Sequence, residues 1–337
     1  MAKRKRAATK KKQSGIKKKR AATKKPSRSK PEGPPVRAIQ DSIDRARDWL
    51  GQRRDYYGFL SRRDSGRGAP ELAGHLRGDL LAHQGRDGSW GEGNVAATAD
   101  AIWRLLDFGM ISNSRQILQA IHWLYGRRDA PGAFSSGCTP ARHDARICEH
   151  FIGGFFSPGP LEESLEISLD NGQTVNSDVG ARLLISERTL RTLLRAGPKD
   201  PRTGSSVTGL RSLPIYLEYG GSFTPAVLVG ALQSLGWVQG PPPSELEAGL
   251  EVLAAAQDKD GTWPNVEFFF VLEMLLEVAH PLTRKMLRRA VPRLLETQHK
   301  YGAWGRNYVA PQTWIAARVL ELVLSERSEV AKARQSP

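Results

Sequence analysis

A seven-residue mark sets the architecture of this chain. It reads Gln84-Gly85-Arg86-Asp87-Gly88-Ser89-Trp90, then Gln257-Asp258-Lys259-Asp260-Gly261-Thr262-Trp263, then Gln298-His299-Lys300-Tyr301-Gly302-Ala303-Trp304. The chain holds only eight tryptophans, and three of them close the same pattern, so the mark is a repeat and not a coincidence. Trp263 and Trp304 stand 41 residues apart, a period typical of repeat architectures. Gly132-Ala133-Phe134 and Gly221-Ser222-Phe223 are weaker copies with Phe in place of Trp. The 89 residues between Phe134 and Phe223 leave room for one further unit near Asp178, which makes six.

Each unit has the same grammar. The helix before the mark is amphipathic: in Ser244 to Gln257, Leu246, Leu250 and Leu253 keep helical spacing while Glu245, Glu247 and Glu251 face away. Ser244 and Glu247 are spaced as a capping box. The helix after the mark, as in Val95 to Phe108 or Asn265 to Glu277, is apolar nearly all round and must be buried. The Gly of the mark permits a tight turn, and its Gln and Trp are expected to tie a helix end to the next turn. Six outer amphipathic helices around six inner apolar ones predict an all-α, (α/α)6 toroid. The open alternative is an α/α solenoid, which six units suit less well than a ring.

The mark resembles the Gln–Trp repeat of squalene–hopene cyclases, and the layout is similar to the wider terpenoid cyclase and protein prenyltransferase toroids over about residues 70–325. Such a toroid implies a central hydrophobic cavity for an isoprenoid-like ligand. Trp103, Phe155, Phe268, Phe269, Phe270, Tyr308 and Trp314 are its candidate lining, able to stabilise cations through their ring faces; for any one of them, plain core packing is the competing reading. Class II cyclases of this superfamily carry Asp-Xaa-Asp-Asp-Thr-Ala after a Gln–Trp mark, and its middle Asp is the acid that starts cyclisation. Here the corresponding stretch is Asn94-Val95-Ala96-Ala97-Thr98-Ala99, and alanine cannot donate a proton. No Asp-Asp-Xaa-Xaa-Asp metal–diphosphate motif appears. Among the remaining inner-helix acids, Asp144 and Glu149 have basic neighbours in sequence and Glu267 opens its helix. Asp100 and Glu273 have neither feature and are the candidate substitute acids.

Both cysteines and two of seven histidines fall between Cys138 and His150. Prenyltransferases of this superfamily hold zinc through Asp, Cys and His, so Asp144, Cys148 and His150 are candidate ligands and zinc the one candidate cofactor. The spacing departs from theirs and from common structural zinc sites, and a buried free cysteine is the competing reading.

Residues 1–30 contain 15 Lys or Arg and no acid, which leaves 35 basic against 35 acidic residues in the remainder; the whole net charge of +15 lies in this tail. With little apolar surface to bury, residues 1–35 are expected to be a disordered basic tail and Pro/Ser linker. Lys5 and Arg6, then Lys17, Lys18, Lys19 and Arg20, resemble a bipartite nuclear localisation signal. That implies an importin-like partner and a nuclear location, cytoplasmic otherwise. A phosphate-binding tail for nucleic acid and a segment added for expression are the other readings, and no aromatic interleaves the basic residues as single-strand stacking would need. No apolar stretch follows the basic start, so no signal peptide is expected, and no run is long enough for a membrane span.

Along the body, the pattern predicts helices at 36–51, 71–84, 114–125, 178–195, 207–217, 224–235, 244–257, 265–279, 282–298 and 311–324. The Arg-rich stretch 56–68 and residues 198–206 read as loops. The Gly/Pro-rich and then acidic stretch 153–176 reads as a lid or a solvated insertion, and 326–337 as a disordered C-terminus. Three functional readings follow. The first is a toroid binding a hydrophobic small molecule or a protein partner without acid-initiated cyclisation. The second is a zinc-dependent prenyltransferase-like enzyme or divergent terpene cyclase. The third is a nuclear, DNA-associated protein with the toroid as scaffold.

Overall fold

The computed structural model describes residues 34–127, 166–176, 178–221 and 223–333. The basic tail with Lys5, Arg6 and Lys17 to Arg20, the weak mark at Phe134, Asp144, Cys148, His150 and Phe155 lie outside the described residues.

Among the described residues, twelve helices alternate between two concentric layers. The outer layer comprises α1 (Val36–Gly51), α3 (Pro70–Ala82), α5 (Arg115–Gly126), α7 (Pro201–Arg211), α9 (Ser244–Ala255) and α11 (Pro281–Thr297). The inner layer comprises α2 (Tyr56–Asp64), α4 (Val95–Asp107), α6 (Asp178–Ala196), α8 (Pro225–Leu235), α10 (Phe268–Glu277) and α12 (Val309–Ala333). Inner helices pack in sequence, α4 on α6, α6 on α8, α8 on α10 and α10 on α12; α12 then meets α2, and α1 lies along α12. Phe59 of α2 stacks edge-on against Phe108 at the end of α4, which closes the ring. Every residue of α8 is buried, as an apolar helix inside a double-layered ring must be. The fold is the six-by-six all-α toroid that the marks predict.

The marks are the joints of this ring. Trp90, Trp263 and Trp304 donate their indole N–H to the carbonyls of Leu80, Leu253 and Leu294, each ten residues earlier, at 2.7, 2.9 and 2.8 Å. Each thereby satisfies an orphan carbonyl near the end of an outer helix. Each Gln spans two units. Gln84 donates to Gly88 and to Gln116 of α5, Gln257 to Gly261 and to Met286 of α11, and Gln298 to Gly302 and to Ser42 of α1. The last pair joins the final unit to the first. Gly261 and Gly302 adopt φ of 88° and 97°. A Cβ there would stand 2.4 Å from the carbonyl oxygen of Arg289 or Arg45 on the neighbouring outer helix, so only glycine fits.

Several expectations need correction. Residues 56–64 form α2 and not a loop. Asp55 caps it by accepting from Gly58, Phe59 and Leu60 are buried, and Arg62 and Arg63 sit in the last turn where the helix dipole favours them. The helix near 200 starts earlier than the pattern suggests. Asp200 accepts from the backbone of Arg202 and Pro201 takes the first position, so α7 ends at Arg211, and Pro214–Tyr216 is one 3-10 turn. The Ser244 side chain caps nothing and donates to Glu245 instead. Finally, α12 continues to Ala333, past the expected helix end at 324. Glu326 pairs with Arg284 and Arg288 of α11, and Arg327 donates to the Pro34 carbonyl.

The one described sheet is a hairpin of β1 (Glu166–Ser168) and β2 (Thr174–Asn176), antiparallel with Ile167 opposite Val175. Its buried Ile167 and Val175 rest on α6. Its turn enters the ring: the Asn171 carbonyl accepts from Gln312 of α12, and Gln173 accepts from the backbone of Glu267 at the start of α10.

Candidate functional site

Along the axis lies a cavity of about 220 Å³, walled by α2, α4, α6, α10, α12, Trp237 after α8 and the hairpin turn. Helical spacing assembles the wall. On α4, Asp100, Trp103, Arg104 and Asp107 share a face; on α6, Arg188, Arg191 and Arg195 do; on α10, Glu273 and Glu277 do. Tyr56, Tyr57 and Arg63 come from α2, Trp314 from α12, and Asp170 and Asn171 from the hairpin.

This wall carries charged side chains among its aromatic ones. Among the described residues five guanidiniums face five carboxyls, and four of the guanidiniums donate to carboxylates of other helices. Asp107 accepts from Tyr56, from Arg63 at 2.6 Å and from Arg195 at 2.9 Å. Burial pushes its carboxyl up, but the bonds and charges of Arg195, Tyr56 and Arg63 outweigh it and hold it below the usual range. Asp170 accepts from Tyr57 and lies 3.7 Å from both Arg104 and Arg188; burial again opposes ionisation, and Arg188, Tyr57 and Arg104 overcome it. Burial, together with these carboxylates, keeps Tyr56 and Tyr57 phenolic well beyond their ordinary range. Glu277 accepts from Arg191 and from the indole of Trp237. Trp103 meets Trp237 edge to face, and the guanidiniums of Arg191 and Arg195 stand 4.3 and 4.2 Å from its ring centroid.

The two candidate acids both reach the cavity, with different neighbours. Asp100 is ion-paired with Arg188 of α6, a cationic neighbour that lies 88 residues away in sequence and was invisible there. Glu273 accepts from Asn171 at 2.6 Å and sits 3.6 Å from Arg191. Its burial pushes the carboxyl up; Arg191 pulls it down, and Glu277 and Asp170 push it up again, so the net shift is upward.

Of the aromatic candidates, Trp103 and Trp314 line the cavity. Phe268 and Phe269 do not: Phe268 packs against Trp263 of the joint and against Phe269, at the start of α10. Tyr308 stands just ahead of α12 and does not line it either, and Phe270 is core. Among the described residues no His/Cys/Asp/Glu cluster could hold a metal, and no helix is long and apolar enough to cross a membrane. The arginines, Tyr56, Tyr57 and Trp237 were missed. The available signal was the period-3.6 stripe of Asp100, Trp103, Arg104, Asp107 and of Arg188, Arg191, Arg195 inside helices that must be buried.

No family model and no curated protein matches the chain. Solved structures match in fold. The type II terpene cyclase MstE from Scytonema without ligand is 13% identical, over 87% of this chain and 99% of that one, with a TM-score of 0.53. A variant of MstE in complex with merosterolic acid A, described as its product, is 14% identical over 87% and 98%, at 0.52. A protein from Actinoplanes is 16% identical over 86% and 99%, also at 0.52. At these identities the likeness is one of fold: the chain is a terpenoid-cyclase-like α/α toroid.

Proposed function

Taking that toroid as the frame, we propose that the protein binds a small molecule in its axial cavity and does not start cyclisation by protonating an alkene or epoxide. The observation that carries this reading is the wall of five guanidiniums and five carboxyls around about 220 Å³. A carbocation passing through such a cavity would be repelled by the arginines and captured by the carboxylates, whereas aromatic faces alone would stabilise it. The volume also falls below the roughly 300–1,000 Å³ of pockets that enclose drug-sized ligands. MstE holds merosterolic acid A, and the tryptophans here offer flat apolar surface, but for a smaller body.

The residues at the class II acid position have other work. Asn94 caps α4 by accepting from the Ala97 N–H at 2.9 Å, and the Thr98 hydroxyl binds the Trp90 N–H and the Asn94 carbonyl, locking the first joint to α4. Non-denaturing mass spectrometry of the purified protein is expected to show bound small molecule that is released on unfolding and lost in Trp103→Ala. A ligand-free protein whose melting temperature no small molecule raises would sink this reading.

A second reading keeps an enzyme, with Glu273 as the acid. It is favoured by one observation: burial gives the Glu273 carboxyl a net upward shift. For the tail we propose nuclear import through Lys5, Arg6 and Lys17 to Arg20; a fluorescent fusion lacking residues 1–30 that still accumulates in nuclei would refute it.

A further inference from the structure

The five cavity arginines are unequally satisfied. Arg63 donates to Asp64 and Asp107, Arg188 to Asp100, Arg191 to Glu277, and Arg195 to Asp107 and to the Trp103 carbonyl. Arg104 donates to none of the described residues. Its carboxylate neighbour Asp170 is 3.7 Å away, outside hydrogen-bond range, and Asp170 is shared with Arg188 and Tyr57. The guanidinium lies over the Tyr56 ring, 4.9 Å from its centroid; Arg104 lines the cavity, and about a third of its side chain (36%) is accessible. The planar fork of Arg104, with five N–H donors, therefore lines the cavity without a hydrogen-bond acceptor among the described residues. A second donor, the buried Nε of Arg191, is also unpartnered.

Charge and shape narrow what completes the fork. Among the described residues the lining holds five guanidiniums and five carboxyls, and burial pushes the carboxyl of one of these, Glu273, upward. A dianionic phosphate or a diphosphate would crowd more negative charge against those carboxyls than a single carboxylate, which matches the fork in bidentate geometry. The surfaces beside Arg104 are flat and aromatic: Tyr56 beneath it, Trp103 one residue earlier on the same helix, and Trp237 edge-on to Trp103.

We infer that Arg104 anchors a subsite for the carboxylate of a small aromatic acid, whose ring lies among Tyr57, Trp103, Trp237 and Trp314. This rests on the reading of the cavity as a ligand site.

The test is titration calorimetry and thermal shift on the full chain with three probes: benzoate, its neutral analogue benzamide, and inorganic phosphate. Benzoate is expected to bind at least ten-fold more tightly than either of the others. Arg104→Gln should lose at least ten-fold in benzoate affinity with its unliganded melting temperature unchanged. Arg104→Lys, which keeps the charge but not the fork, should fall between the two and covers the case in which Arg104→Gln fails to fold. Benzamide binding as tightly as benzoate, preference for phosphate, benzoate affinity unchanged in either variant, or no benzoate binding at millimolar concentration would each overturn the inference. The two readings fail separately: a neutral molecule recovered by mass spectrometry keeps the cavity a ligand site while removing the carboxylate subsite.

Discussion

At the rim of the ring, Trp90, Trp263 and Trp304 each bond a carbonyl ten residues back, and Gln84, Gln257 and Gln298 each bond their own turn and the next outer helix. At the axis, the partners never repeat: Asp107 of α4 gathers Tyr56 and Arg63 from α2 and Arg195 from α6, while Asn171 of the hairpin reaches Glu273 of α10. The joints are local modules, copied along the chain. The axis is one network to which each unit contributes a different group. Damage at a joint should therefore stay with that joint, whereas damage at the axis should spread across helices.

The largest effect is expected at a joint. Trp304 is fully buried, and Trp304→Ala should cost about 3–5 kcal/mol of unfolding free energy, the range for truncating a large buried aromatic. Denaturant unfolding with the wild-type midpoint would show that the mark is not a structural joint. Next comes the axis. Asp107→Asn leaves Arg195 and the more exposed Arg63 without their carboxylate, for a loss of roughly 2–4 kcal/mol once that exposure is discounted. If a double-mutant cycle with Tyr56→Phe is additive, the axis is not a network.

Removing a single amide from a joint is milder. Gln257→Ala deletes two buried hydrogen bonds, to Gly261 and Met286, and should cost about 1–2 kcal/mol. The smallest effect has the opposite sign and belongs to neither region. Glu187, on α6, is buried beside Gly230 of α8 with both oxygens unpartnered, and burial alone pushes its carboxyl well above the usual range. A carboxyl raised in the folded state contributes stability that is complete below its unfolded pKa and lost as pH rises through the folded one. Glu187→Gln should therefore leave the melting temperature unchanged near pH 4 and raise it by a few degrees at pH 8, about 1 kcal/mol. Equal stability of the two proteins at both pH values would mean that the carboxyl is not buried unpaired.

The same contrast explains what the sequence disclosed. Trp263 and Trp304, 41 residues apart, announce the joints because the joints repeat, and the inner helices read as buried because α8 and α10 carry apolar residues almost throughout. The axis repeats nothing. Asp100 looks like an unpaired acid until α6 brings Arg188 to it, and Phe268 and Phe269 look like cavity lining until the start of α10 turns them onto the Trp263 joint. Glu273 had a legible position, and in the fold burial pushes its carboxyl up. Helix α2 was misread because its arginines suggest a loop, although they finish a helix whose other face is buried.

The central claim, a toroid that binds without cyclising, is tested most directly by incubating the full chain with squalene, oxidosqualene and geranylgeranyl diphosphate and analysing the extracts by gas chromatography–mass spectrometry. The expected result is recovery of each substrate with no cyclic product, in line with Ala96 and Ala97 at the acid position and a wall of paired charges at the axis. A cyclic product that disappears in Glu273→Gln while the variant retains its fold would contradict the claim and identify Glu273 as the acid of a divergent cyclase.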